Sequence, residues 1–354
     1  MKALGIFASL VLLICILSAE VNGNDRLTLG VFVLCDKSMT NLLQGRNLDE
    51  YFGTFFNAIN LVFQQLSSPK VKFEVVSVET APQIRRLLGN RYPYDHWPKH
   101  INITSNGQLA DDPTRKQLTE YFKKAGQPYN NSHVIVLFSG NTVLFRRIGH
   151  DNKNRKYIPV HANPVRKGIC TVHKIVVTQD DGYFSGIAFT ARRLARILGA
   201  NYDYRERAGC LYTSGMLTGD IEQKQNYQMS SCALKDVRAA LSEAPKKQCL
   251  KTKFRSHTIA TNKLPADLHN PDKYCAHRYK GEPNIAQCSQ ANWAISLYPS
   301  PGTCEVLCCY GDTPKWRRNM FTMRGITALD GYGCNGRKNG ICVNGACQER
   351  PTFQ

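Results

Sequence analysis

The chain has 354 residues, and 46 Lys and Arg against 27 Asp and Glu leave a net charge of +19 at pH 7 with His neutral. That surplus points either to acidic partners or to solvated charge that keeps the protein soluble, and no motif argues for a nucleic-acid role. After residue 23 no apolar run reaches the ~18 residues that a membrane span requires, which excludes a transmembrane segment.

Lys2 is followed by LGIFASLVLLICIL, and Val21, Asn22 and Gly23 place small residues at the −3 and −1 positions of a cleavage site before Asn24. This pattern predicts a secretory signal peptide over residues 1–23, so the mature product is expected to be secreted. Two sequons, at Asn102 and Asn130, fit export and predict glycosylated surface loops. The basic clusters Arg146-Arg147, Lys153 to Lys156, Lys246-Lys247, Lys251 to Arg255 and Lys315 to Arg318 then favour extracellular acidic glycans or proteins.

The mature chain begins with the β-rich LTLGVFVLCD. A helical repeat of apolar residues follows in NLDEYFGTFFNAINLVFQQL, and then a second strand, VKFEVVSVET. PTRKQLTEYFKKAG reads as a helix ending at Gly126, HVIVLFSG as a buried strand and HKIVVTQD as another. In FTARRLARILGANYD, Phe189, Leu194, Ile197 and Leu198 form an apolar frame, while Arg192 and Arg196 are stacked four apart on one helix face. CALKDVRAALSE is the last helix of this part. Alternating strands and helices predict an α/β fold with a mixed, mainly parallel sheet. No internal repeat or low-complexity segment interrupts it.

LPADLHNPDKYC reads as the connector into a loop-rich remainder. Of the fourteen cysteines Cys15 lies in the signal, five lie between residues 24 and 255, and eight crowd residues 256–354. That shift divides the chain into residues 24–255 and a cysteine-rich module over 256–354, too short for a large core and dependent on disulfides. Its eight cysteines allow 105 pairings. Cys35 is left over, a buried thiol on the first strand or an intermolecular bridge.

GICTVHKIVVTQDDGYFSGIAFTARRLARILGANYD, together with CLYTSGML, NYQMSSCALKDVRAAL and the tail YGCNGRKNGICVNGACQ, resembles the reprolysin (adamalysin, M12B) zinc metalloproteases, most closely the salivary forms of ticks. The resemblance implies a metzincin-like domain with a long central helix, the pairings Cys170–Cys249 and Cys210–Cys232, and a disintegrin-like tail. It places Gly199 and Asp203 on the glycine and final aspartate of HExxHxxGxxHD. The three histidines fall on Arg192, Arg196 and Tyr202, and the glutamate on Arg193. Guanidinium groups are donors only and cannot ligate zinc, so no catalytic residue, metal ligand or cofactor is assigned. The methionine under the metal is expected near Thr218, with Met216 two residues short.

The histidines offer no substitute: His96 and His100 straddle Pro98 in a loop, and His173 reads as a core or edge residue. There is no GxSxG elbow. With a family-like strand so near the predicted cleavage site, no latency propeptide is expected. The sequence therefore reads as a pseudoprotease that binds extracellular host proteins or acidic glycans. Arg192, Arg193 and Arg196 form either an anion site or a set of side chains reaching solvent or Asp203. The alternatives are an active metalloendopeptidase with an atypical site, or an integrin ligand acting through the tail and its Asn335-Gly336-Arg337.

Overall fold

The computed structural model describes residues 26–80, 109–125, 132–146, 157–158, 165–203, 216–217, 227–243, 248–252, 258–282, 284–288, 303–310, 324–334 and 339–352. The signal segment, the sequon asparagines Asn102 and Asn130, Cys210, Thr218, His96, His100 and Asn335 to Arg337 lie outside them.

Four parallel strands form the main sheet: β1 (Arg26–Cys35), β2 (Lys70–Thr80), β4 (Val134–Ser139) and β7 (Ile175–Gln179), in the order β2-β1-β4-β7. β4 is buried along its whole length, as an unbroken apolar run requires when both faces of a parallel sheet are covered. On one face lie α2 (Leu48–Phe63), α4 (Ile187–Leu198) and α5 (Ser231–Leu241), packed over Val31, Val33, Val136 and Phe138. On the other, α3 (Asp111–Ala125) sets Leu118, Tyr121 and Phe122 against Phe32, Leu34, Ile135 and Val177. The α/β class with a mainly parallel sheet is therefore as the alternation predicts. A smaller set of strands, β3 (Leu109–Ala110), β5 (Val143–Arg146) and β6 (Tyr157–Ile158), pairs parallel between β3 and β5 and antiparallel between β5 and β6.

Local sequence explains where these elements start. Asn47 caps α2 by accepting from the Glu50 amide at 3.2 Å, and Asp49 and Glu50 suit the positive end of its dipole. α3 begins two residues before the expected Pro113, which a helix tolerates in its first turn. A short helix that the periodicity does not announce, α1 (Lys37–Leu42), is started by buried Asp36, whose carboxylate accepts from the Met39 amide at 2.7 Å. Phe138 is the hub of the core, with ring centroids of Phe52 and Phe55 at 4.8 and 5.0 Å; burying each such side chain contributes about 1.5–3 kcal/mol.

The connector is more structured than a linker. It holds a 3₁₀ turn (Pro265–Leu268) and the start of α6 (Pro271–Arg278), where Asn270 caps the Asp272 amide and proline takes the first helical position. Three short antiparallel strands follow, β8 (Ile285–Gln287), β9 (Glu305–Tyr310) and β10 (Arg324–Thr327), and then the hairpin β11 (Gly340–Val343) and β12 (Ala346–Glu349). The hairpin turns on Asn344 and Gly345, both at positive φ, as a two-residue loop demands. Four disulfides hold this region: Cys275–Cys308, Cys288–Cys309, Cys304–Cys342 and Cys334–Cys347. Five of the eight buried residues in its own cluster are cysteines, so cross-links take the place of apolar packing. Tyr274 and Leu329 belong to the main core, which joins the tail to the larger part. Cys35 is a free, fully buried thiol, and burial raises its pKa far above the usual thiol range.

Candidate functional site

The segment that carries the resemblance runs from the end of β7 through α4 to Asp203. Asp180 anchors the turn between strand and helix. Its buried carboxylate accepts from the amides of Gly182 and Gly186 at 2.9 and 2.8 Å and from the Tyr51 hydroxyl of α2. Burial, reinforced by neighbouring Asp181, lifts its pKa to about 6. Gly186 is required because a Cβ there would stand 2.1 Å from the Gln179 carbonyl oxygen. The Thr178 and Thr190 hydroxyls, 2.8 Å apart, pin β7 to α4.

From Thr190 to Leu198 every residue of α4 is buried, the arginines included. Arg192 is 3% exposed, Arg193 1% and Arg196 9%, so none of the three side chains reaches solvent as the surface reading expects. Nor do they turn to Asp203, whose carboxylate accepts instead from the Ser230 hydroxyl at 2.7 Å. The guanidinium carbons of Arg192 and Arg196 lie over the Tyr202 ring, 4.9 and 4.4 Å from its centroid, and that of Arg193 lies 3.9 Å over Phe189. Arg196 also donates to the Ala200 carbonyl at 2.6 Å. Burial pulls the Arg193 pKa down to about 9, against the opposing pull of Asp111 and Tyr202.

The frame around these side chains is intact. Gly199 ends α4 at φ +124°, and a Cβ there would lie 2.4 Å from that of Ala240 on α5. Only glycine serves both constraints. Met216 and Leu217 are buried in the main core, held by Met216 N–H to Gln228 O at 2.8 Å and Asp203 N–H to Leu217 O at 3.2 Å. Cys170 is bonded to Cys249 with S–S 2.06 Å, and Cys232 is also disulfide-bonded.

Zinc is the metal that the resemblance implies here, and the donor set does not fit it. Two guanidinium groups converge on an aromatic ring at the positions of three nitrogen ligands, and cations repel a dication. Among the described residues one other group gathers metal-ligating atoms, His133 with Cys170 and Cys249. Its sulfurs are spent in the disulfide, while His133 Nδ1 accepts from the Gly30 amide at 2.8 Å and Nε2 faces the Cys249 carbonyl at 3.1 Å. This histidine is a structural strut. His173, by contrast, is exposed ahead of β7 and not in the core.

Burial lowers the His133 pKa from 6.5 to about 4. The folded state thus keeps it neutral where the unfolded chain is protonated. Its contribution is complete above pH 6.5 and is lost as pH falls toward 4, by up to about 3 kcal/mol. Urea unfolding of wild type and His133→Ala should show a stability gap that narrows over that window. A gap independent of pH would contradict the assignment.

The tail grips the loop before α4. Tyr183 stacks on His277 and His269, with ring centroids at 3.9 and 4.4 Å, and His277 Nε2 meets Asp181 Oδ2 at 2.9 Å. Arg46 donates to the Gly182 carbonyl at 2.7 Å beside them. Sequence reasoning misses this clamp because its members are spread along the chain from Arg46 to His277. The signal was the pair Asp180-Asp181 ahead of a glycine at a strand end, an arrangement suited to capturing loop amides.

No protein-family model matches the chain. A Bombyx mori protein named "A disintegrin and metalloproteinase with thrombospondin motifs like" is 20% identical over 340 residues, covering 90% of this chain and 44% of that protein. The chain thus spans less than half the length of the curated relative it matches. The solved metalloproteinase-II from Bacteroides fragilis aligns with 62% of this chain and 55% of its own at a TM-score of 0.31 and 8% identity. By sequence the chain is metalloprotease-like.

Proposed function

We propose that this is a secreted, catalytically silent metalloprotease homologue that acts by binding. The observation that carries the reading is the substitution of Arg192, Arg193, Arg196 and Tyr202 at the ligand and general-base positions, with their guanidinium groups packed on aromatic rings inside the fold. A zinc hydrolase needs nitrogen ligands and a carboxylate beside a metal-bound water, and this donor set supplies neither. The retained Gly199 turn and buried Asp203 favour a scaffold kept for its shape. The reprolysin type and a salivary origin are part of the proposal. Its partners are host proteins of haemostasis, inflammation or matrix, or acidic glycans attracted by the +19 charge. With the three arginines buried, the attraction of such partners falls to the other basic residues of the chain.

Metal analysis of the purified full chain together with casein cleavage, with and without chelator, tests the reading. Less than a tenth of an equivalent of zinc and no chelator-sensitive cleavage are expected. Stoichiometric zinc with chelator-sensitive cleavage would overturn it.

A further inference from the structure

Three segments distant in sequence close on Asp330. The amide of Ala266 in the connector donates to its carbonyl at 3.0 Å, and Gly331 beside it, at φ +100°, passes so near Leu264 that a Cβ would stand 2.9 Å from the leucine's own. The hairpin of β11 and β12 closes a second side. Asn344 at its turn donates its amide to Asp330 Oδ1 at 2.7 Å, and Gly331 donates to the Cys342 carbonyl at 2.8 Å. On the third side Tyr227, next to the Gln228 that pairs with Met216, is near enough for a charge on Asp330 to push its hydroxyl pKa up. Asp330 thus stands where tail, connector and main body meet.

The residue is 6% exposed, and its second carboxyl oxygen, Oδ2, is buried without a hydrogen-bond partner among the described residues. Asn344 Oδ1, on the turn that meets it, is a second buried acceptor in the same condition. The titratable groups on the elements packed here are Tyr227, Tyr274, Tyr332 and Asp267. Burial raises the pKa of all three phenols, and Tyr274 donates to the Thr327 carbonyl at 2.9 Å. Asp267 is already taken by the Leu264 amide at 2.8 Å and by Arg350. No cation among the described residues offsets the burial of Asp330, which lifts its pKa to about 7. An ionised carboxylate there would be enclosed with one hydrogen bond, whereas a protonated one brings a donor to a turn that otherwise holds two unsatisfied acceptors.

We propose that Asp330 is a proton-operated latch: seated as a neutral acid it holds the hairpin of β11 and β12 against the main body, and its ionisation lets the hairpin part. The apolar contact that opposes parting is small, Val343 with Leu61 of α2 and Leu264 of the connector. Cys304–Cys342 and Cys334–Cys347 both run within the tail, so neither has to break. The sign follows from the seated pKa of about 7 against the ordinary 3.8 of a released carboxyl. The latch is complete below pH 4 and is lost as pH rises through 7. It is separate from α4 and does not depend on whether the chain is a protease.

Hydrogen exchange of the full chain at pH 5 and pH 7, corrected for the intrinsic rate, tests it. In the wild type the opening constant of the Cys342 and Asn344 amides should rise about tenfold or more between the two, relative to the amides of β4, which report global unfolding. Asp330→Asn keeps an acceptor for the Asn344 amide and cannot ionise, so its hairpin amides should show no such rise. A carbon-13 NMR titration of the Asp330 carboxyl in the wild type should have its midpoint near 7, and it decides the matter if Asp330→Asn fails to fold. Hairpin opening that does not increase with pH, an equal increase in folded Asp330→Asn, or a carboxyl midpoint near the ordinary 3.8 would overturn the proposal.

Discussion

Replacing Tyr202 with alanine is expected to lower the unfolding free energy by about 3–5 kcal/mol, the cost of emptying a large buried aromatic site. The ring is buried and carries the guanidinium groups of both Arg192 and Arg196 on it. Its removal takes away two cation–ring contacts of about 1–2 kcal/mol each when desolvated, and leaves both cations facing a cavity. Tyr202→Phe keeps the ring and should retain most of the stability. Chemical denaturation of the two variants isolates the ring's share. A loss below about 1 kcal/mol in Tyr202→Ala would mean that the arginines are held by other groups and that the ring is incidental.

Asp180→Ala should be as damaging, at about 3–5 kcal/mol, for a different reason. One carboxylate satisfies the Gly182 and Gly186 amides and the Tyr51 hydroxyl in the interior, and truncation leaves three donors buried without their acceptor. The pH dependence has a definite sign. The folded pKa of about 6 lies above the ordinary 3.8, so the native state holds a proton that the unfolded chain has already released. Stability from this group is therefore greatest below pH 4 and declines as pH rises through 6, by about 3 kcal/mol. The gap between wild type and Asp180→Ala should shrink on raising the pH from 4 to 7, opposite to the gap for His133→Ala. Observing both slopes with the same sign would show that one of the two groups has been misassigned.

The architecture was largely readable from residue patterns, because periods of two and 3.6 report which face of an element is apolar. The strands ending at Cys35, Thr80, Ser139 and Gln179 and the helices through Phe56, Leu118 and Val237 are where alternation and capping residues put them. What escaped were elements set by a single side chain or by the end of a neighbour. α1 exists because Asp36 caps it at the end of β1, and the connector became α6 because Asn270 and Pro271 start a helix. The tail's pairing could not be deduced, since any of 105 connectivities suits the spacings.

The site shows the same division. The sequence by itself determined that residues 192, 193 and 196 offer no lone pair to zinc, because the chemistry of a guanidinium does not depend on where it is placed. It could not determine the arginines' surroundings. A helical wheel assigns charged residues to water, and only the tertiary structure buries all three and sets Arg192 and Arg196 over Tyr202 and Arg193 over Phe189. The clamp of Tyr183 by His269 and His277 and the strut of His133 were likewise decided by folding alone. Each brings together residues from distant segments, and burial, which sets the charge a group can carry, is a property of the packed molecule and not of the chain.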